Sequence, residues 1–114
     1  MKNKILVSVI IPVYNGENYI EEAIKSVIDQ EYHSKEIIVV NDGSIDKTEE
    51  IVSNLNLDNL KLINTKNYGQ ASAINTGIYS ASGNIVGYLS ADDIFKPKLL
   101  THIVNEFLKN PKVA

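Results

Sequence analysis

Residues 36–51 read EIIVVNDGSIDKTEEI. The branched apolar run Ile37-Ile38-Val39-Val40 passes into Asn41-Asp42-Gly43-Ser44 and then into Asp46-x-x-Glu49. The run has the length and β-branching of a strand buried on both faces, as strands of parallel sheets are. The residues after it tolerate left-handed backbone angles and stop a strand. Asp46-x-x-Glu49 has the spacing of a capping box opening a helix, and Ile51, Val52 and Leu55 give that helix an apolar stripe. The stretch therefore reads as strand, polar turn and helix, the repeating unit of an α/β fold.

The same alternation extends in both directions. Strand-length apolar runs occur at 5–11 (ILVSVII), 60–63 (LKLI) and 85–89 (IVGYL). Between and after them lie stripes of period near 3.6: Ile20, Ala23, Ile24, Val27 and Ile28; Ala71, Ile74, Ile78 and Ala81; Leu100, Ile103, Val104, Phe107 and Leu108. Pro97 suits the first turn of the last helix, and Asn110-Pro111 would end it. The order is β-α-β-α-β-α-β-α within one domain, 1–114. Right-handed crossovers make this a Rossmann-like three-layer α/β/α fold with a mainly parallel sheet.

Composition narrows the function. With 114 residues, 44% hydrophobic and 22% charged, the chain suits one globular domain. It has no cysteine, which excludes disulfides and thiolate metal sites and fits a cytoplasmic setting. No apolar stretch approaches the ~20 residues that span a bilayer. The start, Met1 to Lys4 and then 5–11, has a signal-like outline. Pro12 interrupts it and no small-residue cleavage site follows, so it reads as a first strand. Net charge is −3 and the lysines are scattered, which argues against binding nucleic acid.

In doubly wound sheets, ligands sit beyond the carboxyl ends of the strands. The segments there are Pro12-Val13-Tyr14-Asn15-Gly16, Asn41-Asp42-Gly43-Ser44, Asn64-Thr65-Lys66-Asn67-Tyr68-Gly69 and Ser90-Ala91-Asp92-Asp93. Asn41 to Ser44 reads first as a turn leading into a helix, and alternatively as a carboxylate placed to accept a base N–H or ribose hydroxyl. Asp92-Asp93 reads as acid near a helix N-terminus or as oxygen ligands for a hard divalent cation. Tyr14 can stack on a base or simply end a strand. There is no G-x-G-x-x-G after the first strand and no P-loop. His33 and His102 have no partner in sequence, and no Ser-His-Asp arrangement is legible.

Three segments taken together resemble glycosyltransferase family 2: SVIIPVYNGENYIEEAIKSVIDQ, EIIVVNDGSIDKTEEI and NYGQASAINTGIYSASGNIVGYLSADDIFKPKLL. The resemblance runs from about Ser8 to about Leu108. It implies the GT-A fold and inverting transfer from a nucleoside-diphosphate sugar, UDP-linked by family weighting, to an acceptor hydroxyl. It implies that Pro12, Val13, Tyr14 and Asn15 line the nucleoside pocket, and that Asp42 contacts the base beside Asn41, Gly43 and Ser44. Asn67, Tyr68, Gly69 and Asn75 would close over the nucleotide. Ser90-Ala91-Asp92 falls on the D-x-D motif, so Asp92, with Asp93 beside it, would hold Mn²⁺ or Mg²⁺ against the diphosphate. Asn41 and Ser90 stand where the family usually has Asp. No residue matches the family's catalytic base, so the chain is expected to be the donor-binding half and, in isolation, a poor or inactive transferase. The acceptor, a glycan or a lipid-linked glycan, stays open, as does peripheral attachment of a parent protein to a membrane. An unpaired sheet edge is expected to favour a homodimer. Two other readings are a non-catalytic nucleotide-sugar binding or assembly module and a sugar-activating nucleotidyltransferase. The second usually carries a Gly/Arg/Lys-rich loop after the first strand, which Pro12-Val13-Tyr14-Asn15-Gly16-Glu17 is not.

Overall fold

The computed structural model describes residues 5–110. Along the chain lie β1 (Val7–Val13), α1 (Ile20–Ile28), β2 (Lys35–Asp42), α2 (Thr48–Leu55), β3 (Leu60–Thr65), α3 (Gln70–Ser80), β4 (Ile85–Tyr88) and α4 (Leu99–Lys109). The expected element order is borne out. The helix stop assigned to Asn110-Pro111 falls partly on Pro111, outside the described residues.

The four strands form one sheet in the order β3-β2-β1-β4. All three pairings are parallel, with Ile10 opposite Ile38, Ile38 opposite Lys61 and Ile10 opposite Tyr88. Strand side chains alternate between faces. Val7, Val9, Ile11 and Val13 therefore join the larger core with α1, α2 and α4, whereas Ile10, Ile38 and Val40 pack with Ala73 of α3. This is a three-layer arrangement. The chain walks from β1 to β3 on one side and then returns to place β4 on the other, so a crevice opens between the ends of β1 and β4.

Three local expectations change. The run 85–89 read as buried on both faces, yet β4 is an edge strand: Val86 and Tyr88 are 41% and 57% exposed. A parallel-strand composition says nothing about whether a second neighbour is present. The α3 stripe of Ala71, Ile74, Ile78 and Ala81 is not the packed face either, apart from Ala81, which packs against the smaller core. The helix buries Ala73 and Gly77, while Ala71 and Ile78 are exposed. Gly77 lies directly over Ile10, and a Cβ there would come within 2.5 Å of Ile10 Cγ2. Small residues thus let the helix sit low on β1 and β2, and the larger side chains flank the contact.

The helix starts also differ. Asp46 Oδ1 accepts from the Thr48 N–H (3.0 Å) and hydroxyl (2.5 Å), but Glu49 does not reach back to complete a capping box and instead accepts from Asn64 Nδ2 (3.2 Å). Pro97 precedes α4 rather than entering it, because Lys98 takes a left-handed φ of 67° before the helix begins at Leu99. That start is tied to α1 by the buried Gln30. Its Nε2 donates to the Lys96 carbonyl (2.7 Å), and its Oε1 accepts the Leu100 N–H (2.9 Å). Ser26 Oγ accepts the Phe95 N–H (3.0 Å), so the segment following Asp92 is held at both ends.

Candidate functional site

A cleft of about 270 Å³ opens at the carboxyl ends of the strands. The loop after β1 contributes Pro12, Val13, Tyr14, Asn15 and Gly16, and β2 contributes Asp42. The segment after β4 contributes Ser90, Ala91 and Asp92. Tyr19, Gln70 and Ala73 complete the wall. Sequence reading missed these last three. Gln70 and Ala73 are three apart on α3, a spacing that puts both on one side of its first turn, and that turn follows the loop already under suspicion.

The remaining candidates lie beside the cleft and do not line it. Asn41 and Asp42 are neighbours on a strand and so face opposite sides of the sheet. Asp42 turns toward α3. Asn41 turns the other way, donates to Asn64 Oδ1 (3.0 Å) and accepts the Ser44 N–H (3.4 Å). Ser44 Oγ accepts the Asn15 N–H (2.8 Å), and Asn15 Oδ1 accepts the Ile45 N–H (2.9 Å). Asp93 donates its N–H to the Ser90 carbonyl (2.9 Å), closing a turn, and Asn75 is exposed on α3. Gly43 has φ +82°, and a Cβ on it would stand 2.9 Å from the Asn67 nitrogen. It is a glycine so that the loop ending in Gly69 can pass close by.

The loops after β1 and β2 are bonded into one unit. Gly16 N–H donates to Thr48 Oγ1 (2.9 Å), Glu17 N–H to Asp46 Oδ2 (3.1 Å) and Lys47 N–H to Glu17 Oε1 (3.0 Å). Tyr14 is thus carried on a braced loop, with half its surface free at the rim of the cleft. Preorganised donors and walls lower the ordering cost of ligand binding.

Asp42 is 4% exposed and heavily bonded. Its Oδ1 accepts from Thr65 Oγ1 (2.7 Å) and the Tyr68 N–H (2.8 Å), and its Oδ2 accepts the Gly69 N–H (2.8 Å). Burial pushes its pKa up, but the Thr65 hydroxyl and the N–H groups of Tyr68, Gly69 and Asn67 outweigh this and hold it below the ordinary carboxylate value. The group is therefore a fixed anion at neutral pH, an acceptor and never a donor. Asp92 is different. It is exposed, and Ser90 Oγ donates to its Oδ1 (2.8 Å).

Among the described residues no cationic side chain lines the cleft, although two carboxylates do. An anionic ligand there would need positive charge from elsewhere. Among the described residues no three His, Cys, Asp or Glu side chains gather as a metal site. The donors present, the Asp92 carboxylate with the Ser90 hydroxyl beside it, fit a hard cation that takes one or two carboxylates and completes its shell with ligand phosphate and water.

Known proteins resemble this chain over most of its length. An uncharacterized glycosyltransferase of Rickettsia typhi is 48% identical over 100 residues, covering 88% of this chain and 31% of that protein. The S. aureus TarS crystal structure in complex with UDP superposes with a TM-score of 0.85 at 31% identity, covering 93% of this chain and 33% of that one. The mannosyltransferase PcManGT from Pyrobaculum calidifontis, in complex with GDP-Man and Mn²⁺, gives a TM-score of 0.84 at 29% identity over 96% of this chain and 34% of that one. The chain therefore spans about a third of the length of these relatives. The model of the family described as glycosyl transferase family 2 matches residues 8–114. The fold is that of the GT-A glycosyltransferases, and the chain belongs to glycosyl transferase family 2.

Proposed function

We propose that this chain carries the donor site of an inverting glycosyltransferase that takes its sugar from a nucleoside diphosphate, UDP in particular. One observation carries the reading. At the crevice between β1 and β4, the cleft combines a buried acceptor carboxylate (Asp42), an aromatic face (Tyr14) and an exposed carboxylate (Asp92). Each suits one part of the ligand. Asp42 suits a base that presents a ring N–H, as uracil and guanine both do. Tyr14 suits the face of that base. Asp92 suits a cation shared with the diphosphate. Uracil- and guanine-linked ligands occupy the two solved relatives.

Asp92, with Ser90 orienting its Oδ1, would hold Mn²⁺ or Mg²⁺. When bound, that ion supplies positive charge to the departing diphosphate. The protein's own contribution is positional. Asp42 fixes the base, the braced loop after β1 fixes the nucleoside, and the wall of Gln70 and Ala73 fixes the depth of entry. The cleft is near the lower end of the ~300–1,000 Å³ typical of small-molecule sites. It suits the nucleoside, with the sugar reaching out over the edge.

Transfer also needs a base to take the acceptor proton. The carboxylates lining the cleft are Asp42 and Asp92, and both have other work. We therefore assign donor binding to this chain and expect no transfer by it alone. Ser90 in place of an acid also favours a second reading, a nucleotide-sugar binding module without chemistry. We expect the open edge of β4 to pair with a second copy.

Calorimetry with UDP, in Mn²⁺ and then in EDTA, tests the assignment. Binding should require the ion. Asp92→Asn should weaken it about tenfold or more, the loss of one charged ligand. Tyr14→Ala should weaken it in Mn²⁺. The absence of UDP binding in Mn²⁺ refutes the assignment. Sugar transfer by the pure chain refutes the division of labour.

A further inference from the structure

The Asp42 carboxylate has about four acceptor positions; Thr65, Tyr68 and Gly69 donate to it at close range, and the Asn67 N–H also acts on it. Thr65 Oγ1 and the Tyr68 N–H fill Oδ1, and the Gly69 N–H takes one position on Oδ2. Of the two oxygens, Oδ2 accepts the fewer close hydrogen bonds, and Asp42 lines the cleft. The backbone N–H donors come from one loop, but the Thr65 hydroxyl comes from β3, where Thr65 is the register partner of Asp42. Thr65 itself does not line the cleft. The terminal torsion of an aspartate is broad and roughly two-fold, so its plane is set by its partners rather than by its own rotamer.

We infer that Thr65 is a positioning residue for nucleobase selection: its hydroxyl sets the plane of the Asp42 carboxylate so that Oδ2, the less occupied oxygen, meets a ring N–H. This rests on the reading of the cleft as a nucleoside site. A base offering an N–H at that point, uracil or guanine, is accepted. Cytosine offers a ring nitrogen lone pair there and is repelled by the fixed anion. The selectivity comes from orientation, because a carboxylate free to rotate could also meet the cytosine amino group. Thr65 makes that rotation unfavourable without touching the ligand.

The test compares UDP and CDP binding by calorimetry in Mn²⁺ for the wild type, Thr65→Val and Thr65→Ser, with thermal melts of each. The wild type should prefer UDP. Thr65→Val should weaken UDP binding about tenfold, the loss of one charge-assisted hydrogen bond, and should weaken CDP binding less, so the preference shrinks. Thr65→Ser keeps the hydroxyl and should restore both affinity and preference. A purely structural role would lower UDP and CDP binding by the same factor. An unchanged UDP-to-CDP ratio in Thr65→Val, or failure of Thr65→Ser to restore it, overturns the inference while leaving the donor site standing. If the wild type binds neither nucleotide, the donor-site reading fails and takes this inference with it.

Discussion

Gly77→Ala isolates the contact that sets the depth of α3, and two opposing effects must be weighed. Replacing glycine by alanine inside a helix gains about 1 kcal/mol from backbone entropy. Against that, the new Cβ would stand 2.5 Å from Ile10 Cγ2, 2.9 Å from Cγ1 and 3.0 Å from Cδ1. The nearest of these atoms is on a β-branched carbon with a stiff rotamer, in a residue 1% exposed on a central strand. It cannot step aside, so the helix must lift. Overpacking of this kind costs roughly 1–3 kcal/mol, and the rigid neighbour puts the cost toward the upper end. The net expectation is a loss of about 1–2 kcal/mol, read from urea unfolding followed by far-ultraviolet circular dichroism. Ile10→Ala removes all three clashing atoms and by itself should cost about 2–5 kcal/mol. In that background Gly77→Ala should be neutral or stabilising, because its methyl fills vacated space. The coupling between the two sites should therefore be favourable and exceed about 1 kcal/mol. A single variant as stable as the wild type, or effects that simply add, would refute the close-contact account. The lifted helix should also weaken UDP binding, because Gln70 and Ala73 on α3 form the wall of the cleft.

Two further outcomes follow from groups outside that contact. Burial raises the pKa values of Glu36, Asp42 and Asp46, but their hydrogen bonds, joined for Glu36 by the nearby Lys61 charge, prevail and hold all three below the ordinary carboxylate value. Such groups stabilise the fold above the unfolded carboxylate pKa of about 4, and that stability is lost as pH falls through their lower folded values. The melting temperature should be level near neutrality and fall below pH ~4, with a shallower fall in Asp42→Asn; a decline beginning well above pH 5 would contradict this. The open edge of β4, with Val86 and Tyr88 exposed, should make the chain associate with concentration in light scattering. Val86→Lys should return it to monomer, and a wild type that is monomeric across the whole range would count against the edge.

The chain's periodicity was enough to determine the element order and the parallel class. Runs such as Ile37-Ile38-Val39-Val40 suit a strand buried on both faces, and the structure buries that one completely. The same reasoning pointed to the strand ends, where ligands gather and acids occur in sequence, and Asp42 and Asp92 both line the cleft that opens there. What periodicity could not supply was the identity of neighbours. Val86 and Tyr88 have strand character but, among the described residues, no second strand beside them, and they are exposed. Ile74 and Ile78 have helix-stripe spacing, but the packed face belongs to Ala73 and Gly77, since close approach to Ile10 rewards small residues over large ones. The motif Asn41-Asp42-Gly43-Ser44 reads as one unit in sequence. Strand alternation divides it between the two faces of the sheet, leaving Asp42 in the cleft and Asn41 bonded to Asn64 on the far side. Only the tertiary structure joined Thr65 to Asp42, because a parallel register brings together residues 23 apart in sequence that share no local pattern.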